Sequence, residues 1–303
     1  MSTTAVLTAD APSLTWMSRV ADFWELTKPR IIALEMITIA AGFFLAAQPG
    51  WSPWIMLATL FGTGLVAGSA STLNMWIERH LDAKMTRTAG RPLPAERMEP
   101  WQAVVYGCVL LALGLGILLA GPGYLVAGAG LACWVLYVLV YTPLKTRSTL
   151  NTAVGAVSGA LPIIIGWLAA GGELNLVAAG LFGVLFLWQY PHFMAIAWRC
   201  RDDYQRGGYV MATTVDRSGR RAGWEAITAS LLLFPVGLLP LVTASNVWTG
   251  LVYSGVAVGL TIVYLHASIL FARDRNHATS RRLLLASLIY LPAWLAGLTL
   301  LAF

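Results

Sequence analysis

Charged residues are scarce in this chain of 303 amino acids. Asp, Glu, Lys and Arg together make up 11% of it, whereas apolar residues make up 58%, and the mean hydropathy is +0.70. A soluble domain usually carries about 25% charged residues, so most of this chain has too little charge to face water. The shortage excludes an ordinary soluble enzyme domain and indicates a protein whose surface lies mostly in lipid.

Cysteine is scarce as well, and the N-terminus does not resemble a targeting segment. Cys108, Cys133 and Cys200 lack the spacing of metal ligands, and we expect them to pack as apolar side chains. The first 25 residues include Asp10 and Asp22 and lack the long apolar core of a signal peptide. They are not Arg-rich like an organelle transit peptide either. We therefore expect a multi-pass protein of a bacterial inner membrane.

Long apolar runs are abundant, and they predict the fold. A transmembrane helix needs about 20 mostly apolar residues. Nine runs meet this requirement, at 29–48, 54–78, 101–120, 123–142, 150–170, 176–199, 224–243, 247–271 and 282–302. The sequence therefore predicts an all-α, polytopic membrane protein with about nine transmembrane helices. It would consist of a cytoplasmic N-terminal segment, 1–28, and a single nine-helix domain, 29–303.

The positions of the basic residues predict the topology. All 20 Lys and Arg residues lie before or at the start of the first predicted span, or in loops that follow even-numbered spans and at the span ends next to these loops. By the positive-inside rule, the N-terminus and these loops are cytoplasmic, and the C-terminus is outside. The net charge of +6 is thus a sign of topology and does not indicate nucleic-acid binding. Because the long loops, 79–100 and 200–223, are on the cytoplasmic side, we expect the functional site there.

Polar residues at the end of the second predicted span have the spacing of a metal site. Asn74, Glu78 and Asp82 are four residues apart, which places them on one helix face, about 6 Å apart along the axis. Mg²⁺ sites typically combine one or two carboxylates with substrate phosphates. Three basic residues suited to phosphate follow: Lys84, Arg87 and Arg91. The pattern predicts a magnesium-bridged diphosphate; the alternative is a solvated helix end with ordinary loop charges.

A second acidic group lies at the end of the sixth predicted span. Asp202 and Asp203 stand between basic residues there: Arg199, Arg201 and Arg206. Carboxylates embedded in a membrane are costly and usually functional, although these two lie at the interface, where the cost is smaller. The pair is the second candidate for a metal-binding or catalytic cluster.

Several stretches resemble one known family. The segment NMWIERHLDAKMTRTAGRPLP resembles the first Asp-rich motif of the UbiA superfamily of intramembrane prenyltransferases. Four further stretches are similar to the branch of that superfamily that farnesylates haem: ELTKPR, YTPLKTRSTLN, GALPIIIGWLAAGG and PHFMAIAWRCRDDYQRGGYVM. The last one distinguishes the haem branch from the quinone-type enzymes. Together these stretches span residues 25–211.

The resemblance implies a UbiA-type bundle and transfer of a farnesyl group from farnesyl diphosphate to a vinyl group of haem b. It implies that Asn74, Glu78 and Asp82 hold Mg²⁺ on the diphosphate, and that Asp203, with Asp202 in the same catalytic set, binds a second Mg²⁺. It assigns diphosphate contacts to five residues: Lys84, Arg87, Arg91, Lys145 and Arg147. We add Arg201 and His192 as candidate substrate-binding residues. Lys28 and Arg30 lie on the same rim. The partners it implies, besides the lipid bilayer, are assembly factors of a haem–copper oxidase.

The sequence departs from the family pattern at three places. Glu78 replaces the middle Asp of the first motif, Arg199 stands where the second motif usually begins with Asp, and GGYVMATTV lacks the usual M-L-P-V. Three alternatives to haem farnesylation are open: a related enzyme with a quinone or chlorophyll-type acceptor, a transporter, and a haem-delivery protein. Transport is disfavoured because charges collect at one interface and not at the bilayer midplane.

The histidines and Glu35 leave further alternatives. His192 could ligate haem iron or could only hydrogen-bond to a neighbouring helix. His80, His266 and His277 are expected to be solvated. Glu35, near the start of the first span, could line a cavity or reach the interface.

Overall fold

The structure is a computed structural model that describes residues 16–302, with side chains up to residue 298. The first 15 residues of the predicted N-terminal segment and the final residue lie outside this range. The described part is helical and contains no strand, which confirms the predicted all-α fold. In chain order the α-helices are α1 (Trp16–Leu26), α2 (Pro29–Ala46), α3 (Pro53–Asp82), α4 (Pro100–Ala120), α5 (Tyr124–Val135), α6 (Thr142–Leu144), α7 (Asn151–Ala169), α8 (Leu176–Arg199), α9 (Arg201–Arg206), α10 (Ala212–Val215), α11 (Arg220–Gly237), α12 (Val247–Arg273) and α13 (His277–Ala302).

Nine helical segments within residues 16–302 are long and apolar enough to cross a membrane, which confirms the predicted number. The fourth runs through α5, a π-helical turn at Leu136–Tyr141, and α6; the seventh combines α11 with a 3₁₀ turn at Leu239–Thr243. Two helices extend beyond the predicted apolar runs. Helix α3 ends at Asp82, four residues after the predicted end at position 78. Helix α13 begins at His277, five residues before the predicted apolar run.

The spans begin at residues that suit a helix N-terminus. Pro29, Pro53 and Pro100 occupy the first position of α2, α3 and α4, where a missing N–H leaves no hydrogen bond unmade. Asn175 and Asn246 cap α8 and α12, each accepting two backbone N–H bonds through its side-chain oxygen. The starts of these five spans are therefore fixed by local sequence.

Two glycines allow helices α2 and α7 to pack with their backbones almost in contact. A methyl group on Gly42 of α2 would lie 2.0 Å from the carbonyl oxygen of Ile163 in α7, and one on Gly166 would lie 1.9 Å from that of Ile39. Small residues at such crossings are typical of membrane helices, which associate through close packing. The α2–α7 contact therefore lies near the C-terminal ends of both helices, away from the start of α2, where Lys28 lies.

The apolar exterior and the tryptophans fit a membrane environment. Trp51, Trp54, Trp101 and Trp248 lie exposed at span ends, as an aromatic belt requires. Of the cysteines, Cys133 packs against α7 through a contact of 3.2 Å between Sγ and the Ser158 carbonyl oxygen. The expectation for Cys108 is wrong, because this residue is exposed on α4.

Helix α1, which the apolar-run analysis does not predict, precedes the first span. Trp16, Val20 and Trp24 form an exposed apolar row along it, and Asp22 is buried on another face. Arg97, in the loop between α3 and α4, donates to Asp22 Oδ1 at 2.9 Å and pairs with Glu25 at 3.2 Å. Helix α1 is thus tied to the loop that follows the first acidic motif.

Candidate active site

The C-terminal end of α3 carries the first group of predicted site residues. Asn74, Glu78 and Asp82 are all buried, with exposed fractions of 1%, 4% and 1%. The Asn74 side-chain amide donates to Glu78 Oε2 at 2.9 Å and to Thr142 Oγ1 at 3.0 Å. A buried amide and two buried carboxylates need partners of opposite charge or a hydrogen bond, because burial without them is costly.

Lys145 supplies the charge partner of Glu78. Its Nζ lies 2.7 Å from Glu78 Oε1 and donates a hydrogen bond to Oε2 at 2.9 Å. It also lies 4.7 Å from the ring centroid of Tyr141 and 5.6 Å from that of Tyr209. Burial opposes the charge on Lys145, but Glu78 outweighs it and holds the pKa of Lys145 well above its usual value. Lys145 therefore stays protonated next to Glu78.

Lys28 enters the same cluster from the start of α2. Its backbone has a φ of 54°, in the left-handed region that few residues other than glycine adopt, and its Nζ donates to Asn74 Oδ1 at 3.0 Å. Burial, followed by the neighbouring charges of Arg91 and Lys145, lowers the pKa of Lys28 to about 7. The basic side chains of Lys28, Arg91 and Lys145 therefore lie close together, and this arrangement would favour binding of an anion. Arg30, its neighbour on the predicted rim, is exposed.

Asp82 is held by the loop that follows α3. Arg91 Nη1 lies 2.6 Å from Asp82 Oδ2, and the Thr88 hydroxyl donates to the Asp82 carbonyl oxygen at 2.9 Å. Arg97 Nη1 donates to the Gly90 carbonyl oxygen at 2.8 Å, which fixes the middle of the loop. The loop therefore folds back so that a basic residue nine positions downstream meets the last carboxylate of the helix.

The two acidic residues after α8 point in different directions. Asp203 Oδ1 accepts a hydrogen bond from the Thr86 backbone N–H at 2.9 Å and one from Arg206, which also donates to Thr86 Oγ1 at 2.9 Å. Burial opposes ionisation, but the bonds from Arg206 and Thr86 lower the pKa of Asp203. The side chain of Asp202 is 80% exposed. Asp203 thus joins α9 to the loop after α3, whereas Asp202 faces outward.

The remaining predicted basic residues lie over aromatic rings or are exposed. The Arg87 guanidinium lies 5.9 Å from the Tyr204 ring centroid, and that of Arg201 lies 4.4 Å from the Trp198 ring centroid. Lys84 and Arg147 are exposed. Arg201 and Asp202 also line a polar surface cavity of about 230 Å³ together with Gln205, Thr213, Thr214 and Arg217.

Tyr209, Thr142 and Thr86 belong to the site but were not predicted. Tyr209 is buried, and its burial together with the charge of Glu78 raises the pKa of its phenol. The backbone N–H of Val210 donates to the Lys145 carbonyl oxygen at 2.7 Å, so the GGYV segment packs directly on the loop that carries Lys145. The pair of glycines before Tyr209 was the available signal, because it permits a tight turn towards the site.

The oxygen atoms at the end of α3 fit Mg²⁺ in part. Glu78 Oε1 is buried and accepts no hydrogen bond from the described residues, although Lys145 lies within ion-pair distance of it. No group of three His, Cys, Asp or Glu side chains within residues 16–302 is close enough to hold a metal by itself. The donor set therefore fits a magnesium ion whose other ligands are substrate phosphate oxygens, which is the usual arrangement for this ion.

The other candidates are distributed along the bundle. Glu35, on α2, is half-buried and interacts electrostatically with Lys28, Cys133 and Tyr137. His192, on α8, lies with its Nδ1 2.8 Å from the Ser287 Oγ of α13. The remaining three histidines are exposed, as expected: His80, His266 and His277.

Known proteins share both the sequence and the fold. A protein named protoheme IX farnesyltransferase from Rhodopirellula baltica is 42% identical over 283 residues, covering 91% of this chain and 98% of that protein. A solved digeranylgeranylglyceryl phosphate synthase structure superposes with a TM-score of 0.75 at 15% identity, covering 94% of this chain and 99% of that one. A UbiA homolog from Archaeoglobus fulgidus, solved with DMAPP and Mg²⁺, gives 0.68 at 16% identity, covering 92% and 99%.

The family assignment rests on most of the chain. The UbiA prenyltransferase family matches residues 36–299, which include the acidic end of α3, the loop with Lys145 and the α8–α9 junction. The solved structures cover more than 90% of the chain and have the same fold. The chain belongs to the UbiA prenyltransferase family.

Proposed function

We propose that this chain transfers a farnesyl group from farnesyl diphosphate to a vinyl group of haem b. The observation that carries the proposal is the buried cluster at the end of α3, where Lys28, Arg91 and Lys145 surround Asn74, Glu78 and Asp82. The acceptor is inferred from relatives that are named protoheme IX farnesyltransferase. The prenyl diphosphate is inferred from the structural relative that binds DMAPP and Mg²⁺.

Four residues would hold Mg²⁺ in this proposal. Asn74, Glu78 and Asp82 would hold one ion through oxygen atoms on one face of α3, and Asp203 would hold a second ion through its carboxylate on α9. Bound there, these ions would neutralise charge on the departing diphosphate. In the absence of an ion each carboxylate has a cation beside it, so the site already matches negative charge with positive charge.

The basic residues would bind the diphosphate and stabilise the charge that builds up as its C–O bond breaks. Lys28, Arg91 and Lys145 are fixed by hydrogen bonds or ion pairs before any substrate binds, so little reorganisation is needed. Donors that are oriented in advance contribute most to such stabilisation. Lys84, Arg87, Arg147 and Arg201 would complete the rim.

The bundle itself would protect the farnesyl cation. The apolar chain would lie among the spans, and the cytoplasmic loops would keep bulk water from the allylic carbon until the vinyl group attacks. Water would then complete the hydroxyethylfarnesyl group. We infer that 29–303 acts as one domain, since α2 packs against both α7 and α13. The inferred location is a bacterial inner membrane, with the N-terminus cytoplasmic and the C-terminus outside.

The test combines purified protein, haem b, farnesyl diphosphate and Mg²⁺, followed by mass spectrometry of the extracted haems. Asp82→Asn and a chelator should each abolish the hydroxyethylfarnesyl product. Asp274→Asn, which changes an exposed carboxylate between α12 and α13, should leave it unchanged. Unmodified haem with consumption of the diphosphate on a quinone-type acceptor would refute the proposed acceptor. Haem binding without any consumption would favour a delivery role. Docking of oxidase assembly factors on the cytoplasmic loops stays a prediction.

A further inference from the structure

His192 is held on two sides by neighbouring residues of the bundle. The indole of Trp188 stacks on its imidazole, with 5.0 Å between centroids and 24° between the ring planes. The Trp188 Nε1–H donates to the Ser287 carbonyl oxygen at 2.8 Å. Because Ser287 also contacts the imidazole through its hydroxyl, α8 and α13 together fix the plane of the ring.

The hydrogen bonds of Ser287 favour one tautomer of His192. The Ser287 hydroxyl has one hydrogen, and the shorter of its two contacts is with the Leu284 carbonyl oxygen, at 2.6 Å. When the hydroxyl donates there, its oxygen accepts from His192 Nδ1, 2.8 Å away. A neutral imidazole with a proton on Nδ1 has a free lone pair on Nε2.

Nε2 is available to a ligand. It makes no hydrogen bond with the residues that the structure describes, and it is not among the buried atoms without partners. His192 lies seven residues before the end of α8, which is about 10 Å below the cytoplasmic end of the helix. A porphyrin at this depth could leave its propionates at the interface, where Arg199 and Arg201 lie.

We propose that His192 Nε2 is an axial ligand of the haem iron during the reaction, and that Ser287 is the positioning residue that keeps this nitrogen unprotonated and aimed. The inference rests on the proposed function, because haem b is taken as the acceptor. Ligating histidines usually donate their other N–H to a protein oxygen, which fixes the tautomer and the ring orientation. The contact between Ser287 and His192 has this form.

Spectroscopy of bound haem tests the proposal without relying on turnover. Haem b would be titrated into the full chain in detergent, and the position of the Soret band and the dissociation constant would be measured. His192→Gln should shift the Soret band. Ser287→Ala should weaken haem binding by about 10- to 100-fold, as expected for the loss of an oriented ligand, and Ser287→Thr should restore it.

Ser280→Ala is the matched control. Ser280 is also a buried serine of α13 that donates to a carbonyl oxygen three residues earlier, that of His277 at 3.0 Å. Equal effects of Ser280→Ala and Ser287→Ala on haem binding would overturn the positioning role, because they would reflect helix stability alone. Unchanged spectra in His192→Gln, with farnesyl transfer intact, would overturn ligation while the proposed function stands. A wild-type chain that neither binds nor modifies haem would refute both.

Discussion

The buried pair of Glu78 and Lys145 can be tested as a charge network and as a substrate contact in one experiment. Lys145→Met would leave Glu78, 4% exposed, without the cation that lies 2.7 Å away. Lys28 does not replace it, since its amine is bonded to Asn74. Breaking a buried ion pair on one side costs about 3–5 kcal/mol, so we expect the free energy of unfolding to fall by that amount.

The double variant separates the two roles. Glu78→Gln combined with Lys145→Met removes both charges, which is often nearly neutral for stability, so most of the loss should be regained. Farnesyl transfer should not recover, because the diphosphate still lacks a charge-assisted hydrogen bond worth about 1.5–3 kcal/mol, or roughly 10- to 100-fold in kcat/KM. Glu78→Gln also removes a proposed Mg²⁺ ligand, so the Glu78→Gln single variant shows how much of the loss comes from that ligand.

Thermal unfolding in detergent and the rate of farnesyl transfer are the two readouts. Arg273→Met, which removes an exposed cation at the end of α12, controls for the loss of one positive charge and should change neither. If the double variant transfers farnesyl as fast as the wild type, Lys145 does not contact the substrate and the reasoning fails. If Lys145→Met unfolds like the wild type, the pair is not buried as described.

Three further predictions concern Arg91, Lys28 and the α2–α7 contact. Arg91→Gln should raise the KM for farnesyl diphosphate roughly 10- to 100-fold while activation by Mg²⁺ persists, because Asp82 remains; lost activation would contradict this. Since the pKa of Lys28 is about 7 in the free protein, about half of its amines are neutral at pH 7, and a bound anion should raise that pKa. Calorimetry in buffers of different ionisation enthalpy should then show up to about 0.5 more protons taken up on diphosphate binding by the wild type than by Lys28→Gln; equal uptake would refute it. Gly166→Ala should destabilise the bundle by about 1–3 kcal/mol in thermal unfolding, whereas Gly116→Ala, with open space around it, should not; equal effects would rule out backbone contact as the cause.

The sequence predicted the spans well because each depends on its own composition. An apolar run of about 20 residues needs no tertiary partner to be recognised, and the basic loops fixed the number of crossings. The ends of the helices were harder to predict. Helix α3 continues through charged residues to Asp82 because the loop after it supplies Arg91 and Thr88 as partners. Helix α1 was missed because it is short and only one of its faces is apolar.

The sequence predicted those site residues that are related by the spacing of a single helix. Four-residue intervals place Asn74, Glu78 and Asp82 on α3, but no local pattern pairs Lys145 with Glu78 across 67 residues or Asp203 with Thr86 across 117. Lys28 was treated as a rim residue, and its bond to Asn74 depends on how α2 enters the bundle. The different exposures of Asp202 and Asp203 likewise follow from the loop that folds against α9.

The left-handed backbone conformation at Lys28 lowers the stability of the fold, whereas the side chain of Lys28 serves the proposed activity. A residue with a side chain in this conformation costs about 1–2 kcal/mol, which glycine would not incur. Lys28→Gly should therefore yield a protein that survives detergent and heat better and has lost the amine at Asn74. Screens for thermostable variants are common before crystallisation of membrane proteins. Such a screen would select Lys28→Gly and yield a stable enzyme with impaired activity. Position 28 should be held constant in any such library.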